Sequence, residues 1–241
     1  MARVALVVPC YNEAHRLDTD AFRNFKLDGH QIEFLFVNDG STDSTLQILQ
    51  STGATIVNLE KNSGKAEAVR RGMLAAIERG PDYAGFWDAD LATPLSELSG
   101  FLDVMETRSA IDMVFGARVR LLGRDISRRP SRHYFGRVGA TLISSSLGLA
   151  VYDTQCGAKL FRVSPTLRDV FATPFLSRWI FDVEIIARFV QLWGRDRVAQ
   201  ALYEYPVTQW HDVKGSKVKS RDFARALRDL WKIHRAYNAR R

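Results

Sequence analysis

Apolar residues in the first half of the chain fall into short β-branched runs that alternate with helical patterns. Val4–Val8, Ile32–Val37, Ala54–Leu59, Tyr83–Trp87 and Asp112–Gly116 have the length and residue types of buried strands. Between them, Ser44–Gln50, Ala66–Glu78 and Leu95–Thr107 repeat apolar residues at helical spacing. This alternation predicts parallel strands joined by crossovers, hence a mostly parallel sheet with helices on both faces. Ligands of such sheets bind at the carboxyl ends of the strands. Pro9–Glu13, Asn38–Thr42 and Asp88–Asp90 are therefore expected in one crevice.

The second half is less regular. Arg118–Arg137 is arginine-rich and aperiodic, which predicts a loop or lid. Val138–Leu149 and Val183–Trp193 predict helices, and Gly157–Arg162 and Ala199–Val207 predict strands. Lys214–Ser220 reads as a basic loop and Arg221–Arg241 as a terminal helix. No linker composition appears, so one α/β domain over 1–213 is expected, followed by the basic loop and amphipathic helix of 214–241.

Composition changes the picture little, and charge changes it more. The 241 residues are 46% apolar and 25% charged, as in ordinary globular chains. The net charge is +7, from 34 basic and 27 acidic residues. Lys214–Arg241 holds ten basic residues and two acidic ones, so the remainder is close to neutral. A basic tail on a neutral body does not suggest nucleic-acid binding. The longest uncharged run, Val138–Tyr152, is too short to span a bilayer and carries four Ser/Thr. Met1–Arg3 leads directly into a strand-length apolar run, so no leader peptide is expected. Cys10 and Cys156 form no disulfide framework or zinc spacing, which points to a reduced, cytoplasmic setting.

The sharpest chemistry is Asp88-Ala89-Asp90. Two carboxylates one residue apart share a side of an extended segment. After a buried strand they suit Mg²⁺ or Mn²⁺ bridging to a substrate diphosphate. The same tripeptide is also common in turns. Val37-Asn38-Asp39-Gly40-Ser41-Thr42-Asp43 also ends a strand. There Asp39 can accept hydrogen bonds from a ribose or base, or serve in turn-and-cap chemistry. Val8–Glu13 poses the same choice. Asn62-Ser63-Gly64-Lys65 opens a helix, where Lys65 can assist an anion. No G-x-G-x-x-G and no P-loop occur, since Leu59 stands where a P-loop needs glycine.

Val8–Glu13, Val37–Asp43, Gly64-Lys65 with Ala68-Val69 and Gly72, and Asp88–Asp90 occur together in this order. On these motifs the chain resembles the family 2 glycosyltransferases of GT-A fold. The later segments Asp153–Arg162 (DTQCGAKLFR), Trp179–Glu184 and Trp210–Val218 are similar to those of polyprenyl-phosphate hexosyltransferases. Among these, the dolichyl-phosphate β-glucosyltransferases are the better likeness. The resemblance implies transfer of a hexose from a nucleotide sugar to a lipid phosphate at the cytoplasmic membrane face. It implies that Pro9, Tyr11, Asn12, Glu13 and Asp39 hold the nucleoside and that Lys65 lies near the donor. It further implies that Asp88 and Ala89 face the sugar nucleotide, with Asp90 and Asp88 on the metal. Ala158 replaces the usual aromatic. Ala92 stands where mannosyl enzymes often have Gln, which leans away from mannosyl transfer; the likeness to the β-glucosyltransferases implies glucose from UDP-glucose.

A phosphate acceptor is largely ionised at neutral pH, its second pKa being about 6. It needs cations more than a base. Arg118 and Arg132 are the expected contacts within an arginine-rich set that includes Arg128, Arg129 and Arg137, with Lys159 and Gln155 beside them. Asp182 would orient these groups. In the alternative, with a saccharide hydroxyl as acceptor, Asp182 is the general base. The tail repeats Phe223, Leu227, Leu230, Trp231, His234 and Tyr237 opposite several cations. It is either a helix packed on the body or a helix on an anionic membrane surface.

Overall fold

The structure is a computed structural model that describes residues 1–127, 130–212 and 220–238; the side chains of 130–137, 220–224 and 238 lie outside that description. The elements run β1 (Ala2–Cys10), α1 (Thr19–Asn24), β2 (His30–Asp39), α2 (Thr45–Ser51), β3 (Thr55–Leu59), α3 (Lys65–Glu78) and β4 (Tyr83–Trp87). A 3₁₀ turn (Leu95–Glu97) leads into α4 (Leu98–Thr107), then β5 (Met113–Ala117), β6 (Asp125–Ser127), α5 (Pro130–Leu147), β7 (Ala158–Arg162) and α6 (Pro165–Ala172). Last come α7 (Phe181–Trp193), α8 (Arg195–Ala201), β8 (Leu202–Pro206), β9 (Gln209–His211) and α9 (Ser220–Asn238). The chain divides into two compact units: Met1–Leu91 with Gly157–Pro174, and Ala92–Cys156 with Phe175–Arg241.

In the first unit the strands lie in the order β3-β2-β1-β4-β7. The β1–β2, β2–β3 and β1–β4 pairs are parallel, and β4–β7 is antiparallel. Val4–Val8 and Tyr83–Trp87 are buried throughout, which is why they read as continuous apolar runs. Helix α3 turns Ala68, Val69, Met73 and Ala76 inward. At Gly72 a side chain would overlap Val7, so the glycine permits close helix-to-sheet contact. The chain enters β7 at the carboxyl edge of β4, where the Asp88 amide donates to the Gly157 carbonyl at 3.0 Å, and runs back along β4. Helix α6 has clear start signals: Pro165 in the first turn and Ser164 Oγ accepting from the Leu167 amide at 3.2 Å.

In the second unit β5 pairs in parallel with β8, and β6 with β9. The expected Arg118–Arg137 loop contains β6 and the start of α5. Strand β6 is three residues long and buries only Ile126, too little to give a periodic pattern. The expected strand at Ala199–Val207 begins only at Leu202, because α8 occupies its first residues. Helix α9 packs against α7 and α5 with Ile233 buried, and a polar cluster ties it to α7 and to Ser177. Tyr237 Oη donates to Glu184 Oε1 at 2.8 Å, and Arg188 Nη2 donates to the same atom at 2.8 Å. Ser177 Oγ donates to Asp229 at 2.9 Å. Leu227 and Trp231 stay exposed. Most of the expected basic loop, 214–219, lies outside the described residues. Among the described residues, no helix is long and apolar enough to cross a membrane.

Candidate active site

Of the nine residues expected at the donor, eight lie at or just after the carboxyl ends of β1, β2 and β4 in the first unit, and Lys65 opens α3 after β3. Pro9 lies at the end of β1 in register with Val37, and Tyr11 follows it. Asn12 takes a left-handed backbone, φ +53°. Its amide donates to Ser41 Oγ at 3.0 Å, and its Oδ1 accepts from the Thr42 amide at 2.8 Å. These bonds tie the loop after β1 to the loop after β2. Glu13 is buried, donates its amide to Thr45 Oγ1 at 2.8 Å, and takes both Nε and Nη2 of Arg16.

Asp39 is also buried. Its carboxylate accepts from the Ser63 amide at 2.7 Å, the Gly64 amide at 2.8 Å and Asn62 Nδ2 at 3.1 Å. In this structure it pins the turn that starts α3. Gly40, at φ +62°, lies so close to Lys61 that a side chain would overlap the backbone. The pinned turn sets Lys65 at the first position of α3, where its ammonium pairs with Asp88 Oδ1.

Asp88, Ala89 and Asp90 follow β4 directly, but in a turn closed from Leu91 to Asp88 rather than in the extended segment expected, so the two acids are not set on one side by strand alternation. Ala89 is buried, and Asp88 is about one-third exposed. Leu91 adopts φ +50°, an unusual backbone for a leucine, and donates its amide to the Asp88 carbonyl at 3.2 Å. Such strain often marks functional loops. A side chain at Gly157 would overlap the Asp88 carboxylate. Arg16 holds its proton more tightly than usual. The main cause is its hydrogen bond to Glu13, and the charges of Glu13, Asp90 and Asp88 add to it against the opposing effect of burial. Two acids are thus set among Lys65 and Arg16.

In the second unit, Arg118 donates from Nε and Nη2 to Asp153 at 2.6 and 2.8 Å, and its amide donates to Asp153 Oδ2 at 3.0 Å. The guanidinium also lies 5.2 Å over the Trp210 ring. The charge expected for an acceptor is therefore already matched by Asp153. The Tyr152 and Asp153 amides donate to Glu204 at 2.8 Å. Burial chiefly raises the Glu204 pKa, with Asp153 adding to it and the two amides opposing. Asp182, buried in the first turn of α7, accepts from Gln155 Nε2 at 3.4 Å.

Lys159 belongs to the first unit and is fully buried, its ammonium 5.1 Å from the centre of the Phe86 ring. β7 is buried on both faces from Ala158 to Phe161, and Lys159 stands opposite Phe86 of β4 in the register, so it is enclosed rather than open to an acceptor. The side chain of Arg132 lies outside the described residues, as do Arg128 and Arg129.

Residues 5–168 match the family model for glycosyl transferase family 2. The chain belongs to that family. It is a nucleotide-sugar-dependent hexosyltransferase. A dolichyl-phosphate β-glucosyltransferase of Saccharomyces cerevisiae is 32% identical, the match covering 97% of this chain and 75% of that one. One from Dictyostelium discoideum is 31% identical, covering 89% and 68%. The fold is that of glucosyl-3-phosphoglycerate synthase from Mycobacterium tuberculosis, solved with Mn²⁺, UDP and glucosyl-3-phosphoglycerate. The TM-score is 0.68 at 19% identity, covering 98% of this chain and 80% of that one. This is the α/β GT-A fold expected from the motifs.

Family membership raises the question of a divalent metal. Among the described residues no three His, Cys, Asp or Glu side chains cluster to hold one. The Asp88–Asp90 pair nevertheless fits a hard cation that takes its remaining ligands from substrate phosphates and water. Two residues of this site escaped the sequence reading. Arg16 follows Glu13 at helical i,i+3 spacing, a signal that was available. Gly157 meets Asp88 from 69 positions away, which no local pattern reveals.

Proposed function

We propose that this family 2 enzyme transfers glucose from UDP-glucose onto a polyprenyl or dolichyl phosphate, with inversion, at the cytoplasmic face of a membrane. One observation carries the reading. The acid pair at the end of β4 sits among Lys65 and Arg16, in a chain whose relatives over nearly its whole length are named dolichyl-phosphate β-glucosyltransferases.

In this reading Pro9, Tyr11, Asn12, Glu13 and Asp39 shape the nucleoside pocket. Asp39 acts mainly by pinning the turn before α3. Asp90 and Asp88 would hold Mg²⁺ or Mn²⁺, with buried Ala89 between them in the turn, and the ion would neutralise charge on the departing UDP. Lys65 and Arg16 supply fixed positive charge on the same side, which favours the leaving group. The acceptor phosphate attacks without a general base. Gln155 and Asp182 orient the acceptor side, and Arg118 contributes through its Asp153-braced backbone rather than as a free cation. The exposed stripe of α9 rests on anionic lipid.

The test is a panel of UDP- and GDP-sugars with Mg²⁺ or Mn²⁺, offered polyprenyl phosphate or saccharide acceptors. UDP release with formation of a glucolipid is expected only for UDP-glucose with the lipid phosphate. Release only with hydroxyl acceptors would replace this reading by one in which Asp182 is the base. Asp90→Ala should lower metal-dependent turnover by about 10³-fold.

A further inference from the structure

Apart from Met1, every large apolar side chain that stands exposed among the described residues belongs to the second unit. The most protruding is Leu122, at 105% exposure, beside Leu121 at 50%. Leu121 opens a closed four-residue turn and Leu122 stands at its tip. The Arg124 amide donates to the Leu121 carbonyl at 3.2 Å, and Gly123 reverses the chain at φ +79°. Gly, Pro, Asn, Asp and Ser suit such a turn; leucines do nothing for it.

Both arms of the turn are fastened. On one side Arg118 is held to Asp153 by three hydrogen bonds. On the other the Asp125 amide donates to the Thr208 carbonyl at 2.9 Å, and β6 pairs with β9. A braced turn thus presents two leucines outward. The surrounding sequence, 118–137, has seven arginines and one acidic residue, Asp125. Arg120 precedes the leucines and Arg124 follows them after Gly123.

We propose that the Leu121–Leu122 turn inserts into the interfacial layer of an anionic phospholipid bilayer, with Arg120 and Arg124 at the headgroups. A bilayer accepts leucines without a matching pocket, and its surface charge complements the arginines. This extends the lipid-phosphate reading above by naming a docking surface separate from α9.

The experiment is co-sedimentation of the full chain with phosphatidylcholine vesicles, with and without phosphatidylserine. Leu121→Ser/Leu122→Ser should weaken partitioning by about tenfold on vesicles containing phosphatidylserine. Arg120→Gln/Arg124→Gln should weaken it by about tenfold on those vesicles, and little on phosphatidylcholine alone. The leucine variant should keep the wild-type melting temperature, since both side chains are exposed. Wild-type partitioning of the leucine variant overturns the proposal. So does a change of oligomeric state in that variant without vesicles, which would make the leucines a contact between copies of the chain. Partitioning is read without turnover, so failure of the lipid-phosphate acceptor in the donor panel is a separate result.

Discussion

Gly157 shows how one residue can set the geometry of a motif far from it in sequence. Its missing side chain leaves room for the Asp88 carboxylate, which also pairs with Lys65. Gly157→Ala must push that carboxylate or the β7 backbone aside. A displacement near 1 Å in a reacting geometry can reduce rate by about 10²-fold. We expect kcat/KM to fall by about that factor, with a rise in the Mn²⁺ concentration needed for half-activation. Turnover and metal titration within twofold of wild type would show that Asp88 needs no such fit. The acid pair itself was legible in the sequence because a strand and its two following acids are local. The state of the charged residues was not. Arg118 looked like a free cation, yet its partner Asp153 lies 35 positions on. Lys159 looked like an acceptor contact, yet it is buried opposite Phe86, its register partner on β4, 73 positions earlier in the chain.

At the level of elements, strands and helices with strong periodicity were legible to within a few residues, as β4 and α7 illustrate. Short or polar elements were not: β6 buries a single side chain, and α8 merged with the strand after it. Such pieces exist through tertiary contacts. Tertiary contacts also tie β8 to the chain before β7, where Glu204 holds the amides of Tyr152 and Asp153. Burial raises its pKa in the folded state, so folding favours its protonated form. That contribution to stability is complete below the unfolded pKa, about 4.3, and is lost as pH rises through the folded value. Glu204→Gln keeps one oxygen for both amides and has no charge to desolvate. We therefore expect the variant to gain stability relative to wild type as pH rises from about 4 towards neutral. Urea melts across that range check it; a constant difference would mean that Glu204 is not desolvated. On α9, Tyr237→Phe removes a donor to buried Glu184 and should lower stability by about 1–3 kcal/mol. Thermal melting measures that loss.

For the whole molecule, the net charge of +7 conceals a division. Segments 118–137 and 214–241 carry +6 and +8, and the other residues hold seventeen basic against twenty-four acidic side chains. Both basic segments lie in the unit that carries the exposed apolar residues. The sequence posed α9 as either a packed helix or a membrane helix, and periodicity could not choose because one helix has two sides. In the structure Ile233 is buried and Tyr237 bonds to Glu184, while Trp231 is 59% exposed with Arg235 stacked 5.2 Å over it. Deleting the helix would therefore mix two effects, since it uncovers the buried Glu184. Point variants separate them. Ile233→Ala should lower stability by about 2–4 kcal/mol, like other large-to-small core changes, and leave lipid affinity of the folded fraction alone. Trp231→Ala should leave the melting temperature unchanged and weaken partitioning to anionic vesicles severalfold. The remaining attraction should fade as salt rises from about 0.1 M to 1 M, because the Debye length shrinks from about 10 Å to 3 Å. If Trp231→Ala lowers the melting temperature as much as Ile233→Ala does, the exposed stripe is part of the fold, and α9 is not a lipid contact.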